Sequence, residues 1–196
     1  MRSGLEEMSI FHISDLHIPF SSKRLSEIVD LTLKNNPELI LLTGDYIDTA
    51  KSITKFKNLV SQISKNSTLY YVLGNHDRRY KSLILKTLNL IPNCYCVDEN
   101  AFTFTSKRNF QYIISSWDTK DKLNSTNDIK QIVLVHNPKH LDPNKFDGTS
   151  LIVAGHIHGG QFVLKKLKNG NLFVNYDKKA NLIKGRFGTF IKEDYS

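Results

Sequence analysis

Five short groups of metal-binding side chains recur along the chain: Asp15-Leu-His17, Gly44-Asp45, Gly74-Asn75-His76-Asp77, His136 and Gly155-His156-Ile-His158. They offer carboxylate, imidazole and carboxamide donors and no thiolate, a mixed nitrogen and oxygen shell that suits manganese, iron, zinc or cobalt. Magnesium alone fits poorly beside so many imidazoles. Asp15 and His17 are two residues apart, so on an ideal strand they face the same side and can hold one ion together. If the five groups meet, they make a dinuclear metal site. Two divalent ions opposed by Asp15 and Asp45 leave a net positive charge, which attracts phosphate oxygens and stabilises the charge that builds up in phosphoryl transfer. Two such ions also lower the pKa of a shared water and align the attacking and leaving oxygens.

The elements around these groups explain how they would meet. Nearly every group follows an apolar run: Phe11-His-Ile-Ser, Leu39-Ile-Leu-Leu-Thr, Leu69-Tyr-Tyr-Val-Leu, Ile132-Val-Leu-Val and Leu151-Ile-Val-Ala. Short runs of this kind read as buried strands. The strand ends of such sheets converge on one edge, where ligands bind. Between the early runs, helical spacing predicts helices over Ser21–Asn36, Lys51–Lys65 and about Arg79–Leu88, the first using Leu25, Ile28, Val29, Thr32 and Leu33 as its apolar face. Strand and helix thus alternate in the first half, which implies parallel crossovers. The second half reads as strands over Cys94–Val97, Ala101–Thr105 and Phe110–Ser115, then those delivering His136 and His156. A hairpin follows, with arms Gln161–Leu167 and Asn171–Asn175 around Lys168-Asn-Gly170.

The five motifs in this order, D-x-H, G-D, G-N-H-D, H and G-H-x-H, resemble the calcineurin-like metallophosphoesterase superfamily. The wording His12-Ile-Ser-Asp-Leu-His17, Leu42-Thr-Gly-Asp-Tyr-Ile-Asp48, His136-Asn-Pro138 and Gly155-His-Ile-His-Gly-Gly-Gln161 looks most like a compact bacterial branch of it. Some members of that branch cleave the pyrophosphate of UDP-2,3-diacylglucosamine. The resemblance implies an α/β (α+β) four-layer fold, a central β-sandwich flanked by helices, in one domain spanning residues 1–196. It implies two divalent ions, Mn²⁺ first, held by Asp15, His17, Asp45, Asn75, His136, His156 and His158. Asp45 bridges the ions, Asn75 joins His136 and His156 on the second, and His158 returns to the first. His76 protonates the leaving oxygen, and Asp77 is expected to accept its other ring N–H. Asp48 is expected to hold the loop after Asp45 through backbone hydrogen bonds.

The reaction expected is hydrolysis of a phosphodiester or pyrophosphate by a hydroxide held between the ions. The partner is a small phosphate ester or a lipid-linked nucleotide. Two alternatives belong to other classes: a nuclease acting on nucleic acid, and a metal-binding scaffold without catalysis. Repair-type nucleases carry capping and dimerisation regions for which 196 residues leave no room, and the intact ligand set with His76 counts against a scaffold. A protein serine/threonine phosphatase is not expected, because Gly44-Asp-Tyr-Ile-Asp48 lacks the Arg-Gly that follows in that group.

Composition sets the remaining bounds. The formal charge is +8, with a dense basic stretch from Lys165 to Arg186 that reads as a solvated lysine-rich face. No stretch approaches the roughly 20 apolar residues of a membrane span, and the first residues lack a signal-peptide segment. A cytoplasmic location is expected, with at most peripheral contact at the inner membrane face. Cys94 and Cys96, the only cysteines, are read as ordinary packing. His12 is read as a hydrogen-bonded core histidine and His140 as a surface or helix-start residue. Trp117 is expected either to line the pocket or to pack in the core. Gly44, Gly74 and Gly155 are expected to permit close backbone approach, with Gly159 and Gly160 near the phosphate or in a plain turn. Asp118–Asp128 is expected to form a mobile loop beside the site.

Overall fold

A computed structural model describes residues 8–18, 22–122, 129–142, 149–156, 163–167, 170–173, 182–185 and 188–191. Four strands, β1 (Ile10–Ile13), β2 (Leu39–Leu42), β3 (Thr68–Tyr71) and β4 (Cys94–Cys96), pair in that order, all parallel. Helices α1 (Ser22–Asn35), α2 (Ile53–Ile63) and α3 (Lys81–Leu88) make the crossovers. The second sheet contains β5 (Phe102–Thr105), β6 (Gln111–Ser116), β7 (Lys130–Val135), β8 (Thr149–Ala154), β9 (Val163–Leu167), β10 (Gly170–Phe173), β11 (Leu182–Gly185) and β12 (Gly188–Ile191). Its order is β5-β6-β7-β8-β12-β11-β10-β9, parallel only from β6 to β8.

Strand alternation divides the core. Leu39 and Leu41 on β2 pack with Tyr70, Ile114, Ile132 and Leu134 between the two sheets. Their neighbours Ile40 and Leu42 face the other way, onto Phe56, Leu59, Val60 and Ile63 of α2 and Ile84 and Leu88 of α3. That is why β2 is buried at every position and reads as an unbroken apolar run. The outer face of the second sheet carries Val133, Val135, Ile152 and Ala154, packed against Trp117 and Leu141. Among the described residues no α-helix covers that face; a single 3-10 turn, Pro138–His140, lies beside it. Two stacked sheets with helices are the expected α/β sandwich, while helices forming the expected fourth layer are not among the described residues.

Several boundaries differ from expectation for local reasons. Asn36, at φ 42°, ends α1 in the left-handed region, its N–H returning to Thr32 O at 2.8 Å before Pro37. Leu33, expected on the apolar face, is 53% exposed, whereas Leu25, Ile28 and Val29 pack on the core and Thr32 is buried. The stretch before α3 begins as a 3-10 turn, Asp77–Tyr80. The hairpin is present as β9 and β10, paired antiparallel, while β11 and β12 carry no signal that the sequence reading used. The tip at Lys168 and Asn169, the Ser21 cap, the loop residues 123–128, and Gly159 and Gly160 lie outside the described residues, as do the side chains of the basic stretch.

Candidate metal centre

The loops leaving β1 and β2 are zipped together. Asp15 and His17 donate their backbone N–H groups to the carbonyls of Gly44 (3.0 Å) and Asp45 (2.9 Å), and Ile18 donates to Tyr46 (2.9 Å). Neither Asp15 nor His17 lies on a strand, since β1 ends at Ile13. Both sit in the left-handed region, with φ of 55° and 43°, as do Asp45 at 56° and His156 at 69°. Their convergence therefore comes from strained turns at strand ends rather than from strand alternation. Side chains other than glycine hold such backbone only where the surroundings enforce it. Gly44 (φ 95°) and Gly74 lie at the closest crossing: a Cβ on Gly44 would stand 2.5 Å from Gly74 N, and one on Gly74 2.1 Å from Asp45 Oδ1. Only hydrogen fits there.

Asp77 explains how the second and third loops are fastened. Its fully buried carboxylate accepts N–H groups from Asp45 (2.7 Å), Tyr46 (2.9 Å), Ile47 (3.3 Å) and Gly74 (2.9 Å). Burial pushes its carboxyl above the usual range, although these donors pull it back. This corrects the expectation for Asp77, whose oxygens are committed to backbone N–H groups rather than to the His76 ring. That ring instead places Nδ1 2.8 Å from Asp48 Oδ1, and His17 Nδ1 approaches the same oxygen at 2.9 Å. Asp48 thus does what was expected of Asp77, and Asp77 holds the loop as was expected of Asp48. Burial disfavours the ionised form of Asp48, but hydrogen bonds from His17 and His76 outweigh it and lower its pKa. An ionised carboxylate only accepts, so both rings donate from Nδ1 and turn Nε2 away from Asp48, that of His17 toward Asp45.

Asp45 lies between two clusters of donors. Its Oδ2 is 3.8 Å from His17 Nε2 on one side and 3.3 Å from His136 Nε2 on the other, while Oδ1 accepts from His76 N at 2.9 Å. Asp15, His17 and Asp45 form one group whose donor atoms lie within 4.8 Å of each other; Asp45, His136 and His156 form another. Asn75 Oδ1 joins the second at 2.9 Å from His136 Nε2, and His156 Nδ1 stands 3.1 Å from the same nitrogen. Asp15 Oδ1 accepts the N–H of His156 at 3.0 Å, tying the clusters together. The structure thus brings together six of the seven expected ligands. His158 lies outside the described residues.

These donors fit a cation. His136 Nδ1 donates to the carbonyl of Thr43 at 2.7 Å. Its Nε2 is then left to meet the Asn75 oxygen, a His156 nitrogen and a carboxylate oxygen. Lone pairs so gathered repel unless a proton or a metal ion lies among them. Burial opposes a charged His136 ring, but the Asp45 carboxylate and the Thr43 carbonyl prevail and raise its pKa. A divalent ion competes with that proton for the same lone pair. Beneath the site, His12 Nε2 meets Thr43 Oγ1 at 2.7 Å, and burial lowers its pKa to about 3, so this is a neutral core histidine as expected.

A cleft of about 340 Å³ opens beside the second cluster. Asn75, His136 and His156 line it together with Arg78, Asp98, Trp117 and Asp118. Trp117 meets both of its expectations, lining the cleft and packing under Val133 and Val135. His140 lies in the 3-10 turn at the rim. Sequence reading passed over Thr43, Arg78 and Asp98 as functional positions, because each becomes conspicuous only through a neighbour distant in the chain.

Residues 8–160 match the family model described as calcineurin-like phosphoesterase. The phosphodiesterase YaeI of Escherichia coli (strain K12) is 27% identical over 166 residues, covering 78% of this chain and 61% of YaeI. The uncharacterized metallophosphoesterase YkoQ of Bacillus subtilis (strain 168) is 26% identical over 197 residues, covering 92% of this chain and 71% of YkoQ. Among solved structures, TT1561 of Thermus thermophilus superposes with a TM-score of 0.51 at 14% identity, covering 72% of this chain and 73% of that one. That likeness bears on the fold alone.

Proposed function

Since the chain belongs to the calcineurin-like phosphoesterase family, we propose that it is a dinuclear metal-dependent hydrolase of phosphoric diesters. One observation carries this reading: Asp45 is shared by the Asp15–His17 and the His136–His156 donor groups, as a carboxylate between two ions must be. The proposed ligands are Asp15, His17 and Asp45 for one ion, and Asp45, Asn75, His136 and His156 for the other, with His158 assigned to the first by the motif. The metal proposed is Mn²⁺, with iron, zinc or cobalt also suited to this shell. When bound, such ions supply Lewis-acid activation of water and of the phosphoryl oxygens.

The remaining work falls to the protein's own groups. Asp48 fixes the orientation of the His76 ring by accepting its Nδ1–H, which directs Nε2 away from the carboxylate. A proton carried on that Nε2 would be placed for transfer to a leaving oxygen, and its transfer avoids expelling an alkoxide. The Thr43 carbonyl fixes the His136 tautomer and keeps Nε2 directed inward, the usual outer partner of a ligating histidine. Asp77 keeps the two loops at a fixed separation. The YaeI name favours a phosphodiester over other phosphate esters. No helix among the described residues is long and apolar enough to cross a membrane. The location proposed is cytoplasmic, a reading supported by the free thiols of Cys94 and Cys96, which suit a reducing compartment.

The test is hydrolysis of methyl p-nitrophenyl phosphate by protein freed of metal and then supplied with Mn²⁺. Activity is expected only after the addition. Undiminished activity after exhaustive chelation would overturn the reading.

A further inference from the structure

The cleft beside the second donor group contains charges that the hydrolytic reading leaves unused. Asp98 is half-buried; its Oδ2 accepts the N–H of Leu73 at 3.0 Å, and burial raises its pKa. Asp118 stands exposed at the rim of the same cleft. The cations nearby are largely engaged. Arg78 and Lys81 act on Asp98, but Lys81 is paired with Glu99 at 2.7 Å. Lys120 is paired with Asp121 at 3.0 Å and lies over the Trp117 ring at 5.3 Å. Arg78 is the one arginine or lysine lining the cleft among the described residues, set against two carboxylates.

Such a cleft treats the two parts of a substrate differently. The reacting phosphate would be held at the Asp15–His17 and His136–His156 donor groups, where bound divalent ions would supply positive charge. Whatever extends into the cleft meets the apolar surface of Val72, Leu73, Trp117 and Leu134 and the carboxylates of Asp98 and Asp118. A second phosphate there would face Asp98 and Asp118 with Arg78 as the one arginine or lysine in compensation among the described residues. Hydroxyl or amino groups would instead find acceptors. Like charges in a half-buried cleft repel appreciably because screening by water is incomplete.

We infer that this cleft seats the organic group of a singly charged phosphodiester, one bearing hydroxyl or amino donors, and discriminates against a second phosphate. The preferred substrate class is thus a single-phosphate diester such as a dinucleoside monophosphate, rather than a pyrophosphate or nucleoside diphosphate. This rests on the reading of the centre as a phosphodiesterase site. It goes further by naming Asp98 and Asp118 as the residues that set specificity.

The experiment compares Mn²⁺-loaded full-length protein on a dinucleoside monophosphate and the matching dinucleoside diphosphate, with methyl p-nitrophenyl phosphate as the minimal ester. The monophosphate is expected to be favoured about tenfold or more in kcat/KM, and added salt should narrow the preference. Asp98→Asn should lower KM for the diphosphate by about tenfold with little change in kcat. Asp118→Asn, at an exposed position that folding does not need, should act in the same direction but less. If the diphosphate is the equal or better substrate, or if neither variant moves the ratio, the inference fails while cleavage of the minimal ester leaves the phosphodiesterase reading standing. If none of the three esters is cleaved, both fail together.

Discussion

Asp48 Oδ1 holds the His76 ring at 2.8 Å from Nδ1, although 28 residues separate the two in the chain. The same oxygen holds His17 at 2.9 Å, so one carboxylate orients a proposed proton donor and a proposed metal ligand together. Carboxylate–histidine partners of this kind typically matter 10–100-fold in metal affinity or activity. The arrangement makes the two functions separable by mutation at three positions.

His76→Gln should retain both metal ions and lose about 10²–10⁴-fold in kcat on esters with poor leaving groups. The loss should shrink for acidic leaving groups, which need no proton. Asp48→Asn should show a smaller leaving-group-dependent loss together with weaker metal binding, because it also releases His17. A plot of log kcat against leaving-group pKa for each variant checks this, and equal slopes in wild type and His76→Gln would remove the acid role.

Asp77→Ala should act on stability instead. It strips the acceptor from four buried N–H groups, and each buried donor left unsatisfied costs about 1–3 kcal/mol. Thermal unfolding should report a total loss of at least ~3 kcal/mol, with Asp77→Asn intermediate. Surviving activity should keep its normal leaving-group dependence. A changed dependence with unchanged stability would return Asp77 to the role that the sequence suggested.

Asp45→Asn should lower occupancy of both ions, since this side chain faces both donor groups, whereas Asp15→Asn should weaken one. Metal content by plasma emission decides it. Two fully retained ions in Asp45→Asn would exclude the shared position.

Acid sensitivity should trace in part to His12. The folded pKa lies near 3 against 6.5 for the ordinary residue. Between those values the unfolded chain binds the extra proton, so stability is complete above about pH 6.5 and falls on acidification. The slope for one such proton is about 1.4 kcal/mol per pH unit. His12→Gln keeps a partner for Thr43 and should flatten this limb in urea titrations between about pH 6.5 and 4. Parallel pH profiles for variant and wild type would show that His12 does not contribute.

The chain's residues specify much of this protein without reference to coordinates. Apolar runs of four or five residues are long enough only for strands, and nearly every donor group follows one, so the strands and the candidate donors are legible from one-dimensional pattern, while the resemblance of the motifs supplies the sandwich and the ligand assignment. Helices α1 and α2 are legible for the same reason, because 3.6-residue spacing shows which face is buried. Tertiary structure decided what depends on direction and on partners far apart in the chain. Asp48 and Asp77 have the same side chain, each three residues or fewer from a proposed ligand, and local sequence does not distinguish them. Their roles divide because Asp77 is buried under the N–H groups of the 45–47 turn, while Asp48 is left half-exposed between two imidazoles. The left-handed turns at Asp15, His17 and Asp45 were equally hidden, since only the zipped loops around them hold such backbone in place. Arg78, Asp98 and Trp117 line one cleft only because the segments that follow β3, β4 and β6 meet there. Pattern sets which side chains are present and which way a strand faces; packing sets which of them meet.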